Sequence, residues 1–248
     1  MIPADVAFRQ AANAAAQAFA NSPPYIAYRT SVVIDVPAMG RHKEIDRAVE
    51  VRTADDWAAL QDLPRGQHQY AHSFPLSPTF DAISYFHFDY NVARRDALSS
   101  VTQDRVITFT DPTQTTHADA VVLGLRYYHA EYAPDSTDAI AHIAMSPLPT
   151  LTTGNKSTYF LHDVYVDTAS NLPTRIVYEG PDAHLVCDYT VIDKHWLIRH
   201  AMLTQTVHGP LHIGQVTFTA EATNTDFSFP ATPSDPELAK PPATPTPK

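Results

Sequence analysis

The chain has 248 residues, 44% of them apolar and 18% charged, which is enough apolar material for a sizeable core and excludes disorder as its general state. Its formal net charge of −10 repels phosphate backbones and anionic headgroups, so nucleic acid is not an expected partner and attachment to a membrane by charge alone is disfavoured. Cys187 is the single cysteine, which excludes an intramolecular disulfide, and no apolar run is long enough to cross a bilayer as a helix.

The first predicted element is a helix over residues 4–20. Phe8, Ala11, Ala12, Ala15 and Phe19 recur at helical spacing, Asp5 sits in the first turn, and Asn21-Ser22-Pro23-Pro24 stops it. After Pro24 the period changes to two. Ile26, Tyr28, Thr30, Val32, Ile34 and Val36 share one face of a long strand, and Pro37-Ala38-Met39-Gly40 turns it. A second strand over 43–52 carries Ile45, Val49 and Val51 on one face, and a weaker one covers 57–60.

Residues 64–91 are rich in aromatics (Phe74, Phe80, Tyr85, Phe86, Phe88, Tyr90) without clean alternation, interrupted by Pro75 and Pro78. This is read as an irregular loop, a short helix over 81–86, or a lid. Strands are then expected over 105–109, 120–132, 139–146, 157–167, 174–179, 183–192, 195–206 and 211–221. Turns at 167–173 and at Asp193-Lys194 join two pairs as hairpins. Consecutive hairpins make a meander, so the sheet is mainly antiparallel, and the missing strand–helix–strand rhythm argues against a doubly wound fold. A meander of ten or eleven strands must curl, which predicts a mainly β (α+β) half-barrel or unclosed barrel with the helix on its concave side. Residues 1–230 are taken as one domain and the proline-rich 231–248 as a solvated, disordered tail.

The order of elements, with Val164-Tyr165-Val166-Asp167, then Asn171-Leu172-Pro173-Thr174-Arg175-Ile176, and the trailing Phe227-Ser228-Phe229-Pro230, resembles the LolA/LolB-like superfamily of lipoprotein-localisation factors and envelope lipid carriers. That resemblance implies an unclosed barrel that holds acyl chains. It also implies periplasmic or secreted localisation, with an export signal already removed. It supplies no ligand-binding signature that can be carried over residue by residue.

The residues expected to line an apolar site are Tyr28, Val32, Phe86, Phe88, Leu125, Tyr127, Phe160, Trp196, Ile198 and Phe218. An acyl chain needs contact area and no polar code, each buried methylene contributing about 0.8 kcal/mol. The partner would be an apolar small molecule, a lipid or a lipoprotein acyl chain, with transient membrane contact. No catalytic residue, metal ligand or cofactor is assigned.

Thirteen histidines leave a metal enzyme or hydrolase open as one alternative. His68 and His72, and His208 and His212, have ligand-like spacing, but Gly209-Pro210 breaks the second pair and no HExxH helix or nucleophile elbow is present. Regular alternation would put His162 and Asp163 on opposite faces, unable to form a dyad. Cys187 reads as a small buried hydrophobe. A packed, non-catalytic interaction module of the envelope is the other alternative.

Overall fold

The structure, a computed structural model, describes residues 2–60, 69–72, 78–79, 128–149, 160–208 and 214–240. The helix α1 (Ala4–Ala20) is followed by β1 (Tyr25–Val36), β2 (Arg41–Arg52), β3 (Trp57–Leu60), β4 (Gln69–His72), β5 (Tyr128–Tyr132), β6 (Ile140–Pro147), β7 (Phe160–Asp167), β8 (Pro173–Glu179), β9 (Ala183–Ile192), β10 (His195–His208) and β11 (Gln215–Ser228). Among the described residues these strands form one sheet in the order β4-β3-β2-β1-β11-β10-β9-β8-β7-β6-β5. Pairs from β1–β2 to β3–β4, from β5–β6 to β8–β9, and β1–β11 are antiparallel. The order is open, with β4 and β5 at its ends. The expectation of a mainly β, unclosed meander behind an N-terminal helix is met. No described helix is long and apolar enough to cross a membrane.

The chain divides into two compact units. The first holds Met1–Gln17, Asp81–Asp188 and Leu203–Val207, and the second holds Ala18–Phe80, Tyr189–Met202 and His208–Lys248.

In the first unit the strands align a fully buried row, Ile143, Val164, Ile176 and Cys187, each facing the next across β6 to β9. Four residues of the α1 stripe are buried as their spacing predicts, Phe8, Ala11, Ala12 and Ala15 all at 0% exposure, whereas the fifth, Phe19 in the last turn, is 43% exposed. Cys187 is part of this core, and burial pushes its thiol well above the ordinary range, so it packs as a hydrophobe.

The turn between β7 and β8 is built by its own side chains. The Asp167 carboxylate accepts from the amides of Ala169 and Ser170 and from the Ser170 hydroxyl, and Asn171 takes φ 58°. These bonds, the Ser170 hydroxyl first, hold Asp167 below the usual carboxylate range.

In the second unit Ile26, Tyr28, Val49, Val51, Ala58 and Leu197 form a buried cluster, with Leu60, Phe227 and Phe229 packed against it. On the alternate positions of β2 stand Glu50, 1% exposed, and Arg52, 8% exposed. Both are occupied by the chain's C-terminal region. Glu50 accepts from the Ser234 amide (2.9 Å) and the Ser234 hydroxyl (2.6 Å). Arg52 pairs with Asp55 through Nε and Nη2 at 2.7 Å each, and donates through Nη1 to the carbonyls of Leu238 (2.8 Å) and Lys240. Leu238 is fully buried. Residues 231–240 therefore form turns docked on the protein, where composition alone suggested a solvated tail. Two buried charges and one leucine supply the reason.

The remaining differences are local. β4 falls within the segment read as an aromatic loop. β11 runs seven residues further than its expected end at Glu221, through Ser228, because its inward positions Ala222 and Asn224 are small or polar and do not announce a strand. The strand expected over 105–109 lies outside the described residues.

Candidate functional site

In the first unit a cavity of about 300 Å³ opens between the start of α1 and the strands facing it. The helix side is Ile2, Ala7 and Gln10. The sheet contributes Tyr132 at the end of β5, Ala141 of β6 and Val166 of β7. The rim is polar, with Thr137 and Asp138 from the β5–β6 loop and Thr168 and Asn171 from the β7–β8 turn. Ala141 and Val166 face each other in register, so the floor is a cross-strand apolar pair. Ala7 of the helix and Ala141 of the sheet are the small residues of this lining. Tyr132 donates its hydroxyl to the Ile2 carbonyl at 3.0 Å, which ties the N-terminus over the cavity.

The β5–β6 loop is held down by several bonds. Ser136 exchanges two with the backbone of His142, at 2.9 and 3.0 Å, and the Thr168 hydroxyl donates to the Asp138 carbonyl at 2.6 Å. The loop that carries Thr137 and Asp138 is therefore fixed to β6 and to the following turn.

On the opposite face of the same strands the side chains alternate between acid and imidazole. His142 Nδ1 lies 2.5 Å from Asp135 Oδ1, and its Nε2 lies 2.8 Å from Asp163 Oδ1. The second oxygen of Asp163 is 2.7 Å from Nδ1 of His162. His162 Nε2 is 3.5 Å from Glu179, which is 3.7 Å from His184. The Tyr165 ring stacks on His142 with centroids 4.0 Å apart and an interplanar angle of 18°.

This corrects the expectation that His162 and Asp163 point apart. The β7–β8 register slips between Leu161 and Asp163, so His162 is an extra residue opposite the pairs Leu161–Tyr178 and Asp163–Val177. A bulge of this kind turns two successive side chains to one side. Burial of His142 would lower its pKa, but the hydrogen bonds to Asp163 and Asp135 outweigh that and raise it. Burial would raise Asp163, yet its bonds to His162 and His142 bring it below the usual range. The His142 ring nitrogens meet two carboxylates, Asp135 and Asp163, and its backbone amide and carbonyl bond the Ser136 hydroxyl.

The residues expected from sequence to line a site are placed as follows. Tyr28, Trp196 and Ile198 are buried in the second unit, at 5%, 6% and 0% exposure. Tyr28 belongs to the core cluster, and Trp196 stacks on Tyr189 at 4.0 Å. Leu197 joins the cluster of Tyr28, so alternation puts Trp196 and Ile198 on the other face of β10. Val32 and Phe218 in the second unit and Phe160 in the first are half-buried. Phe86, Phe88, Leu125 and Tyr127 lie outside the described residues, as do His68 and His212. None of the six described residues among the ten lines the cavity under α1. Its lining is mostly small or polar, and no sequence signal pointed toward it. Among the described residues no group of three or more His, Cys, Asp or Glu is arranged to hold a metal ion.

The class defined here is a mainly β chain with an open antiparallel sheet and a helix-covered cavity. No family model and no curated protein matches the sequence. Among solved structures the chain is similar to a DUF1329 family protein from Desulfovibrio piger, with 13% identity, a TM-score of 0.41, and coverage of 96% of this chain and 98% of that one. It is similar to a putative outer membrane lipoprotein-sorting protein domain from Vibrio parahaemolyticus (10% identity, TM-score 0.42, 93% and 97% covered). A LolA superfamily protein from Nitrosomonas europaea is also similar (11% identity, TM-score 0.35, 94% and 96% covered).

Proposed function

We propose that the protein is a non-catalytic carrier or binding protein of the cell envelope for an apolar ligand, of the class of a lipid or lipoprotein acyl chain. The observation that carries this reading is the cavity under α1, with Ala7, Ala141 and Val166 between helix and sheet and a polar rim. Its 300 Å³ stands at the small end of ligand pockets, so one chain segment fits better than several. The apolar floor contributes by burial, and the rim of Thr137, Asp138, Thr168 and Asn171 suits the hydrated end of an amphiphile. Periplasmic localisation belongs to the same proposal. Phe160, half-buried in the same unit, remains a proposed secondary contact together with Phe86, Phe88, Leu125 and Tyr127, whereas Val32 and Phe218 belong to the second unit. Tyr28, Trp196 and Ile198 are already covered by the protein's own atoms.

The test is titration with a fluorescent fatty acid, alongside mass spectrometry of an organic extract of purified protein. Wild type should take up the probe saturably. Ala141→Phe, which fills the floor, should weaken uptake tenfold or more while the melting temperature stays within a few degrees. An empty extract with no saturable uptake, or equal uptake by the Ala141→Phe variant, would sink the proposal.

A further inference from the structure

The two ring nitrogens of His142 each meet a carboxylate oxygen, at 2.5 and 2.8 Å. A neutral imidazole has one N–H and one lone pair, so it can donate to only one of them; the imidazolium donates to both. The geometry therefore describes a protonated ring, and the face of Tyr165 stacked on it suits a cation. The two carboxylates differ. Asp163 has an 18% exposed side chain and a second partner in His162, whereas the Asp135 side chain is 64% exposed and belongs to the loop that carries Thr137 and Asp138.

From this arrangement we infer that His142 is a proton-operated latch for the β5–β6 loop, acting from the face of the sheet opposite the cavity whose rim that loop helps to form. As imidazolium it ties Asp135, and with it the β5–β6 loop, to Asp163 of β7. On losing a proton it keeps Asp163 and turns a lone pair toward Asp135, which swings into solvent and loosens the loop. The loop does not melt, because Ser136 and Thr168 still hold its backbone.

The other ionisable groups on this face are His162 beside Asp163, the Tyr165 phenol over the ring, Arg175 opposite Tyr165 and paired with Asp188, and Glu131 of β5 paired with His129. Glu179 and His184 continue the ladder beyond His162. They set a mainly acidic field that favours the proton on His142. The raised pKa of the ring agrees with this. The bearing of the latch on ligand exchange rests on the cavity reading above; the latch itself does not.

The experiment is amide hydrogen exchange of the full chain at pH 6 and pH 9, corrected for the intrinsic exchange rate. Wild type should lose about tenfold protection over residues 135–140 at pH 9, the worth of one charge-assisted hydrogen bond. Asp135→Asn carries an amide that can donate to the neutral ring, and should show no pH-dependent loss. Because Asp135 is exposed, this variant is expected to fold. His142→Gln, which cannot titrate, should also be flat. Equal protection at both pH values in wild type, or the same loss in Asp135→Asn, would overturn the latch.

Fatty-acid probe dissociation measured on the same samples separates the two proposals. A pH-dependent loop with no uptake at either pH removes the carrier reading and leaves the latch. Uptake with an unresponsive loop does the reverse.

Discussion

His142 and Asp163 share a hydrogen bond but bring opposite pH dependences to stability. The folded-state pKa of His142 is raised above 6.5, so its contribution is complete below 6.5 and is lost as pH rises through the raised value. The folded-state pKa of Asp163 is lowered below 3.8, so its contribution is present above 3.8 and is lost as pH falls through the lowered value. Both operate together between 3.8 and 6.5. His142→Gln should therefore cost most stability in that window, and the difference from wild type should shrink as pH climbs above it. Urea denaturation from pH 5 to pH 9 measures this. A wild-type advantage that stays constant to pH 9 would contradict it. His42, raised by its hydrogen bonds to Asp35 and Glu44, titrates in the same direction, so the comparison with the variant is what isolates His142.

At the scale of elements, the docked segment 231–240 is where composition misled. Its prolines suggested solvated chain, but the decisive residues are Glu50 and Arg52, almost 190 positions away and on alternate positions of a strand whose other face is core. Nothing local to the segment announces such partners. By contrast, α1, both strands of the first hairpin and the Asp193-Lys194 turn were legible. Spacing alone dictates the helix face. Positive φ at Asp193 (48°) and Lys194 (74°) is the backbone that a two-residue hairpin demands. The cavity was not legible, because its lining comes from the start of the helix, three strands and two turns, and none of those residues was expected to line a site. The docked segment makes its own prediction. Leu238→Ala should cost about 2–5 kcal/mol of contact locally, and limited proteolysis should cleave within 231–240 at least tenfold faster than in wild type. Unchanged cleavage there would mean that Glu50 and Arg52 hold the segment without the leucine.

For the whole molecule, the carrier reading has a thermodynamic signature that requires no variant. A ligand bound only to the folded state stabilises it by about 2.7 kcal/mol at a hundredfold excess over its Kd. For a chain of this size that corresponds to a rise of about 5–10 °C in Tm. A fatty acid that binds the cavity should produce such a rise, and Ala141→Phe should abolish it. A rise of equal size in the variant would place the binding elsewhere.

The slip in β7 has one more implication. Leu161 and Val164 lie three residues apart yet are both fully buried, with Val166 nearly so, because His162 is inserted between two stretches that would otherwise alternate without interruption. Excising His162 would put those apolar positions in step and remove the slip between Leu161 and Asp163, leaving the second slip, between Tyr165 and Val166. What the insertion brings to the outer face is an imidazole beside Asp163 and a link onward to Glu179.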